Sequence, residues 1–116
     1  MQQPSRTVLI IDDSSEDREL YRRCLRRDRD CVYTFLEASY GQQGIDLWQQ
    51  HHPDIVLLDY RLPDLDGLDV LAHLQSLVEP ACLPVVMITG QGDEAIALQA
   101  IRAGAQDYLV KEAITA

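Results

Sequence analysis

The chain has 116 residues, 47% of them hydrophobic, and a formal net charge of −9, the proportions of one ordinary globular domain with a core that needs no staples. No apolar run approaches membrane-spanning length and the polar start MQQPSR is no secretory signal, so a cytoplasmic protein without membrane contact is expected, its three cysteines (Cys24, Cys31, Cys82) reduced. Residues 1–29 hold seven of the ten basic side chains, whereas residues 30–116 set thirteen acids against three bases, which argues against direct nucleic-acid contact and for a site that attracts a cation.

In chain order, TVLII (7–11) is a buried-type strand and ends at the acidic pair Asp12 and Asp13. Ser14-Ser15-Glu16-Asp17 opens a first helix with a capping sequence; its inward stripe is Leu20, Tyr21, Cys24 and Leu25, leaving Arg22, Arg26 and Arg29 on another face. A second strand starts near 32, and a second helix over about 42–50 buries Ile45 and either Trp48 or Leu47, stopping before Pro53 with His51 and His52 in solvent. The run DIVLL (54–58) leads into Asp59, and the loop YRLPDLDG, shaped by Pro63 and Gly67, precedes a third helix with Val70, Leu71, Leu74 and Val78 inward. PVVMI (84–88) ends at Thr89, a fourth helix over 93–103 turns Ala97, Ala100 and Ile101 inward and closes at a left-handed Gly104, and DYLV (107–110) ends at Lys111.

Strand starts near 7, 32, 54, 84 and 106, separated by segments long enough for crossover helices, imply parallel strands buried on both faces. Right-handed crossovers wind such a chain into one three-layer α/β domain, whose sites form outside the carboxyl ends of the strands. Asp12, Asp13, Asp59, Thr89 and Lys111 all stand at those ends. Buried-strand termini carry charge at a cost unless the groups meet, so one shared site is expected.

Four segments, LIIDDS, VLLDYRLPDLDG, VVMITG and GAQDYLVK, occur in an order and spacing that resemble the receiver domains of two-component response regulators, across about residues 7–112. The resemblance implies a flavodoxin-like doubly wound sheet of order 2-1-3-4-5, with its fifth helix truncated at Ala116, and 1–116 as the N-terminal receiver segment of a longer protein. It implies that Asp59 accepts a phosphoryl group from a histidine kinase or histidine phosphotransfer protein. Mg²⁺ would be bound by Asp13, Asp59 and the backbone carbonyl of Arg61, with Asp12 acting through water. Thr89 and Lys111 would hold phosphoryl oxygens, and Tyr108 would turn inward as Thr89 moves. The partners implied are the phosphodonor, which meets the first helix, and a downstream output domain or protein; a homodimer would form through the helix 4–strand 5–helix 5 face. Such a domain assists its own phosphoryl transfer and is not a turnover enzyme.

Some residues depart from the family pattern. Glu112 follows Lys111 where proline in a cis peptide is usual, and Gly90 follows Thr89 where alanine is common. Arg61 and Gln91 occupy positions that tune dephosphorylation in the family. The alternative reading is a degenerate receiver that binds proteins without being phosphorylated. A haloacid-dehalogenase-type phosphotransferase would need an acid where Arg61 sits, and a nucleotide carrier would need a GxGxxG loop where DDSSED stands.

Overall fold

The computed structural model describes residues 3–77, 84–90 and 93–114. Five strands, β1 (Ser5–Ile11), β2 (Val32–Ala38), β3 (Ile55–Asp59), β4 (Val85–Thr89) and β5 (Asp107–Val110), form one parallel sheet in the order β2-β1-β3-β4-β5. Four helices alternate with them: α1 (Ser15–Arg26), α2 (Gly41–His51), α3 (Gly67–Gln75) and α4 (Glu94–Arg102). A single 3-10 turn, Lys111–Ala113, follows β5. Class and strand order are those read from the sequence, and each strand starts within two residues of the expected position.

Alternation along each central strand sends side chains to two separate cores. Leu9, Ile11, Val56, Leu58 and Met87 face α2, α3 and α4, where Trp48, Val70, Leu71 and Leu74 close over them. Val8, Ile10 and Ile88 face α1 and its Tyr21. Each fully buried aliphatic is worth ~1.5–3 kcal/mol of transfer free energy, so Leu71→Ala, with its cavity, costs ~2–5 kcal/mol. On the α1 side, an apolar groove lined by Tyr21, Leu25, Leu57, Ile88, Leu109 and Ile114 runs beside β5.

The structure corrects several expectations. Only β1, β3 and β4 are buried on both faces; β2 and β5 are edge strands with exposed residues, because the helix layers cover the middle of the sheet more fully than its rims. Ile101 is 39% exposed rather than inward, since small Ala97 and Ala100 already bring α4 against the sheet and rotate Ile101 outward. Trp48, not Leu47, is the buried partner of Ile45 in α2. Arg22 and Arg26 do not stand free: Arg22 pairs with Glu37 and Arg26 lies over the Phe35 ring at 5.4 Å, so β2 gathers part of the helix's basic face. Val78, Cys82 and Gln91 lie outside the described residues.

The helix ends follow the capping chemistry. Ser14 accepts from the Asp17 amide at 3.2 Å and Asp66 from the Asp69 amide at 2.8 Å. Gly104 is left-handed, φ 107°, as expected at the end of α4. Unforeseen, His52 closes α2 with φ 47° and sets its ring edge-on to Trp48.

Candidate functional site at the carboxyl ends of the strands

The topology brings the chain's acidic strand ends together. β1 and β3 are neighbours, in register from Val8 opposite Ile55 to Ile11 opposite Leu58, so Asp12 and Asp59 emerge side by side. Asp12, Asp13 and Asp59 each offer a carboxylate oxygen within 4.8 Å of the others. Asp12 and Asp59 are buried while Asp13 is exposed, so the cluster opens to solvent on one side.

Asp12 is the most heavily bonded of the three. Its Oδ1 accepts from the Ser14 amide at 2.9 Å, and its Oδ2 accepts from the Tyr21 hydroxyl at 3.2 Å and forms an ion pair with Lys111 Nζ at 3.3 Å. Arg18 donates to the Asp12 carbonyl at 2.6 Å and to Glu37 on β2, which pins the β1–α1 loop. Lys111 Nζ reaches three carboxylates: Asp17 at 2.9 Å, Asp12 at 3.3 Å and Asp59 Oδ2 at 3.3 Å. It does so on a trans Lys111–Glu112 peptide, since no cis bond occurs among the described residues.

The electrostatics follow from this crowding. Burial, and then the charge of Asp12, push the Asp59 carboxyl up to about 6; Lys111 and the Arg61 amide, 3.4 Å from Asp59 Oδ1, pull the other way. Burial lowers the Lys111 ammonium, but Asp17, Asp59 and Asp12 together outweigh it and leave the group raised. Tyr21 is raised by burial and by the neighbouring Asp12 and Asp17, so its hydroxyl stays a donor.

Two further groups complete the rim. Thr89, at the end of β4, is fully buried and its Oγ1 has no hydrogen-bond partner among the described residues. Tyr108 pairs with Met87 in register while Thr89 pairs with Val110, so tyrosine and threonine share one face of the sheet, two residues apart in register. The Tyr108 ring is turned outward, 42% exposed. The β3–α3 loop that carries Arg61 is held from below by Asp64, whose carboxylate accepts from the Gly41 and Gln42 amides at 2.7 and 3.0 Å and caps α2 in place of its own N-cap residue. Bonds from the Gln42 amide first, and then from the Gly41 and Leu65 amides, hold that carboxyl below its ordinary range. Gly67 closes the loop: its amide donates to the Tyr60 carbonyl at 2.7 Å, and a Cβ there would stand 2.8 Å from Tyr60 Cα.

All five strand-end residues singled out from the sequence therefore lie at one rim, with Tyr108 on the adjoining edge. Sequence reading missed Asp17, Tyr21, Arg18 and Asp93. Asp17 and Tyr21 are four apart in α1, which puts them on one side of the helix, and that spacing was the available signal for these two.

The oxygen-only donor set, with like charges clustered at an open edge, fits a hard divalent cation such as Mg²⁺, which keeps waters and accepts a sparse protein shell. Asp12, with both oxygens already engaged, is less free to bind it directly than Asp13.

Comparison with known proteins agrees with this geometry. The response regulator receiver domain model matches residues 8–115. Transcriptional regulatory protein ResD of Bacillus subtilis is 34% identical over 104 residues, covering 90% of this chain and 41% of that protein. Transcriptional regulatory protein SrrA of Staphylococcus aureus is 34% identical over 107 residues, covering 92% and 42%. Among solved structures, a putative response regulator from Chloroflexus aurantiacus superposes with a TM-score of 0.82 at 30% identity, covering 95% of this chain and 87% of that one. The receiver domain of NtrX from Brucella abortus gives 0.79 at 31%, covering 90% and 84%. The chain belongs to the response regulator receiver domain family. It spans less than half the length of the curated relatives it matches.

Proposed function

We propose that this receiver domain is a phosphorylation-controlled switch of a two-component phosphorelay, with Asp59 as the phosphoacceptor. The observation that carries the reading is the convergence on Asp59 of a cation, Lys111 Nζ at 3.3 Å, and of two further carboxylates within metal-ligand reach. That convergence survives without the usual proline after Lys111, which favours a working site over a degenerate one.

The donor is a phosphohistidine on a histidine kinase or a histidine phosphotransfer protein. An Asp59 Oδ attacks phosphorus, the O–P bond forms as the N–P bond breaks, and the departing imidazole nitrogen takes a proton. At neutral pH the carboxylate form of Asp59 predominates, as the reaction requires. Asp13, Asp59 and the Arg61 carbonyl would hold Mg²⁺, with Asp12 acting through water, and the ion would supply neutralisation of charge between the carboxylate and the incoming phosphoryl oxygens. Lys111 Nζ moves from carboxylate to phosphoryl oxygen, a charge-assisted bond it is already placed to make. Thr89 Oγ1 gains the partner it lacks by bonding another phosphoryl oxygen, and Tyr108 turns into the space vacated.

The altered face around α4 and β5, where Leu98, Ile101, Tyr108 and Leu109 are exposed, then meets a downstream output domain or a second copy of the chain. No helix among the described residues is long and apolar enough to cross a membrane, which suits the cytoplasmic setting of such a relay.

Acetyl phosphate with Mg²⁺ tests the reading. Labelling is expected in the wild type and is expected to vanish in Asp59→Asn and in EDTA. Labelling of the variant at the wild-type level would refute the assignment.

A further inference from the structure

Arg61 sits two residues past Asp59, close enough for its amide to face Asp59 Oδ1 at 3.4 Å. Its guanidinium is engaged elsewhere. Nε donates to Asp93 Oδ2 at 3.2 Å and Nη2 to Asp93 Oδ1 at 3.1 Å, a two-pronged ion pair across the rim of the site. The pair is lopsided: the Arg61 side chain is 74% exposed and that of Asp93 11%.

Asp93 is itself misemployed by the usual rules. It occupies the N-cap of α4, where an aspartate oxygen ordinarily accepts from an amide of the first helical turn, yet it makes no side-chain capping bond. Its Oδ2 lies 3.9 Å from where a Cβ on Gly90 would stand, so the same carboxylate borders the residue that follows Thr89. One buried carboxylate thus faces the phosphoacceptor loop, the end of β4 and the start of α4.

We infer that Arg61 is a two-position group and that Asp93 is the positioning residue that sets its equilibrium. With Asp59 bare, Arg61 is held by Asp93. When Asp59 carries a phosphoryl group, the planar guanidinium transfers to those oxygens, and Asp93 turns to cap α4. The inference rests on the phosphoacceptor reading above and adds to it a route from the site to α4 that does not pass through Tyr108.

The physical case is one of competition. A guanidinium fork matches carboxylate and phosphoryl oxygens alike, and a phosphoryl group carries more charge than one carboxylate. Arg61 is mostly hydrated already, so moving it loses little solvation. Asp93 does not stay buried and unpaired, because an N-cap carboxylate can accept from the amide two residues on, that of Ala95; the Ile96 amide is already taken by the Asp93 carbonyl at 3.0 Å.

The test uses beryllofluoride with Mg²⁺ as the phosphoryl mimic, and NMR titration of the same protein as wild type, Asp93→Asn, Arg61→Ala and the double variant. Without ligand, the Arg61 Nε–H signal is expected to be protected from exchange in the wild type and to lose that protection in Asp93→Asn. With ligand, Asp93→Asn is expected to tighten mimic binding about fivefold, since Arg61 no longer has to leave an ion pair. In the Arg61→Ala background the same substitution should change nothing. Equal tightening in both backgrounds would mean plain removal of a negative charge near an anion and would overturn the proposal. So would an unprotected Arg61 signal in the ligand-free wild type. Failure of every variant to bind the mimic, with Arg61 still protected, would instead refute the phosphoacceptor reading and the transfer that depends on it.

Discussion

The carboxyl ends of β1 and β3 and the carboxyl end of β4 lie on one rim, yet they are bonded very differently. At the first, the two buried acids have partners before any ligand arrives: Asp12 accepts from Ser14 and Tyr21 and pairs with Lys111, and Asp59 accepts from Lys111 and the Arg61 amide. At the second, among the described residues, Thr89 Oγ1 is buried with no partner, and Asp93 leaves α4 without a side-chain cap. The bonded end is preorganised for binding, because its charged groups are already gathered where a cation and an anion would sit, and Lys111 needs only a short shift. The unbonded end has bonds still to gain, and only such groups can turn ligand binding into a shift of structure. Binding and response are thus divided between neighbouring strands.

If that division holds, removing charge from the bonded end should stabilise the metal-free fold. Asp59→Asn is expected to raise unfolding free energy at pH 8 by about 2 kcal/mol in EDTA, since it relieves a buried, crowded carboxylate. The wild type should show the same strain as a pH effect. The folded state takes up the Asp59 proton from about pH 6 downward, whereas the unfolded chain does so only near 3.8. The folded state therefore binds more protons in that window, and this group's contribution to stability falls as pH rises through it. Urea melts across pH 4–8 for both proteins check the sign. A flat difference between wild type and Asp59→Asn would show that the acids of the bonded end are not in conflict.

A second way to sharpen the contrast is through the cation. Mg²⁺ should raise the melting temperature of the wild type by mass action. Asp13→Ala should weaken the affinity on the order of 10–100-fold, and Asp12→Asn by less, because the Asp12 oxygens already serve Ser14, Tyr21 and Lys111. Isothermal calorimetry gives both constants directly. Equal losses would place Asp12 in direct coordination.

The unbonded end is probed by Thr89 and Tyr108. Thr89→Ala should leave Asp59 able to accept phosphate but reduce the amide-shift changes of β5 on adding a phosphoryl mimic, a coupling on the order of 1–3 kcal/mol. Tyr108→Ala should do the same. Wild-type-sized shifts in both variants would mean that the response leaves the rim by another path.

The smallest expected effect is on resting stability. Thr89→Val keeps the shape and removes a hydroxyl that has no partner, so it should be neutral or stabilising by no more than ~1 kcal/mol without ligand. A clear loss of stability would reveal a bond to Thr89 Oγ1 in solution and would erase the contrast between the two ends.

What the sequence by itself determined is whatever local pattern and chain order can carry. The apolar runs define the strands, the long intervals impose crossovers, and the residue after each run says which chemistry meets at the rim; Asp12, Asp13, Asp59, Thr89 and Lys111 were legible for that reason. The capping signals at Ser14 and Gly104 were legible too, since each acts within one turn of helix. Only the tertiary structure decided which polar groups satisfy one another. Lys111 finds Asp17 across 94 residues of chain, Arg61 finds Asp93 across 32, and Asp64 caps a helix that begins 23 residues before it. It also decided that Ile101 faces solvent and that Arg22 and Arg26 lie against β2. Periodicity records which face of an element is apolar, but it holds no record of distance between elements. Hydrogen bonds and ion pairs act over a few ångströms, so their partners exist only once the sheet has brought the loops together.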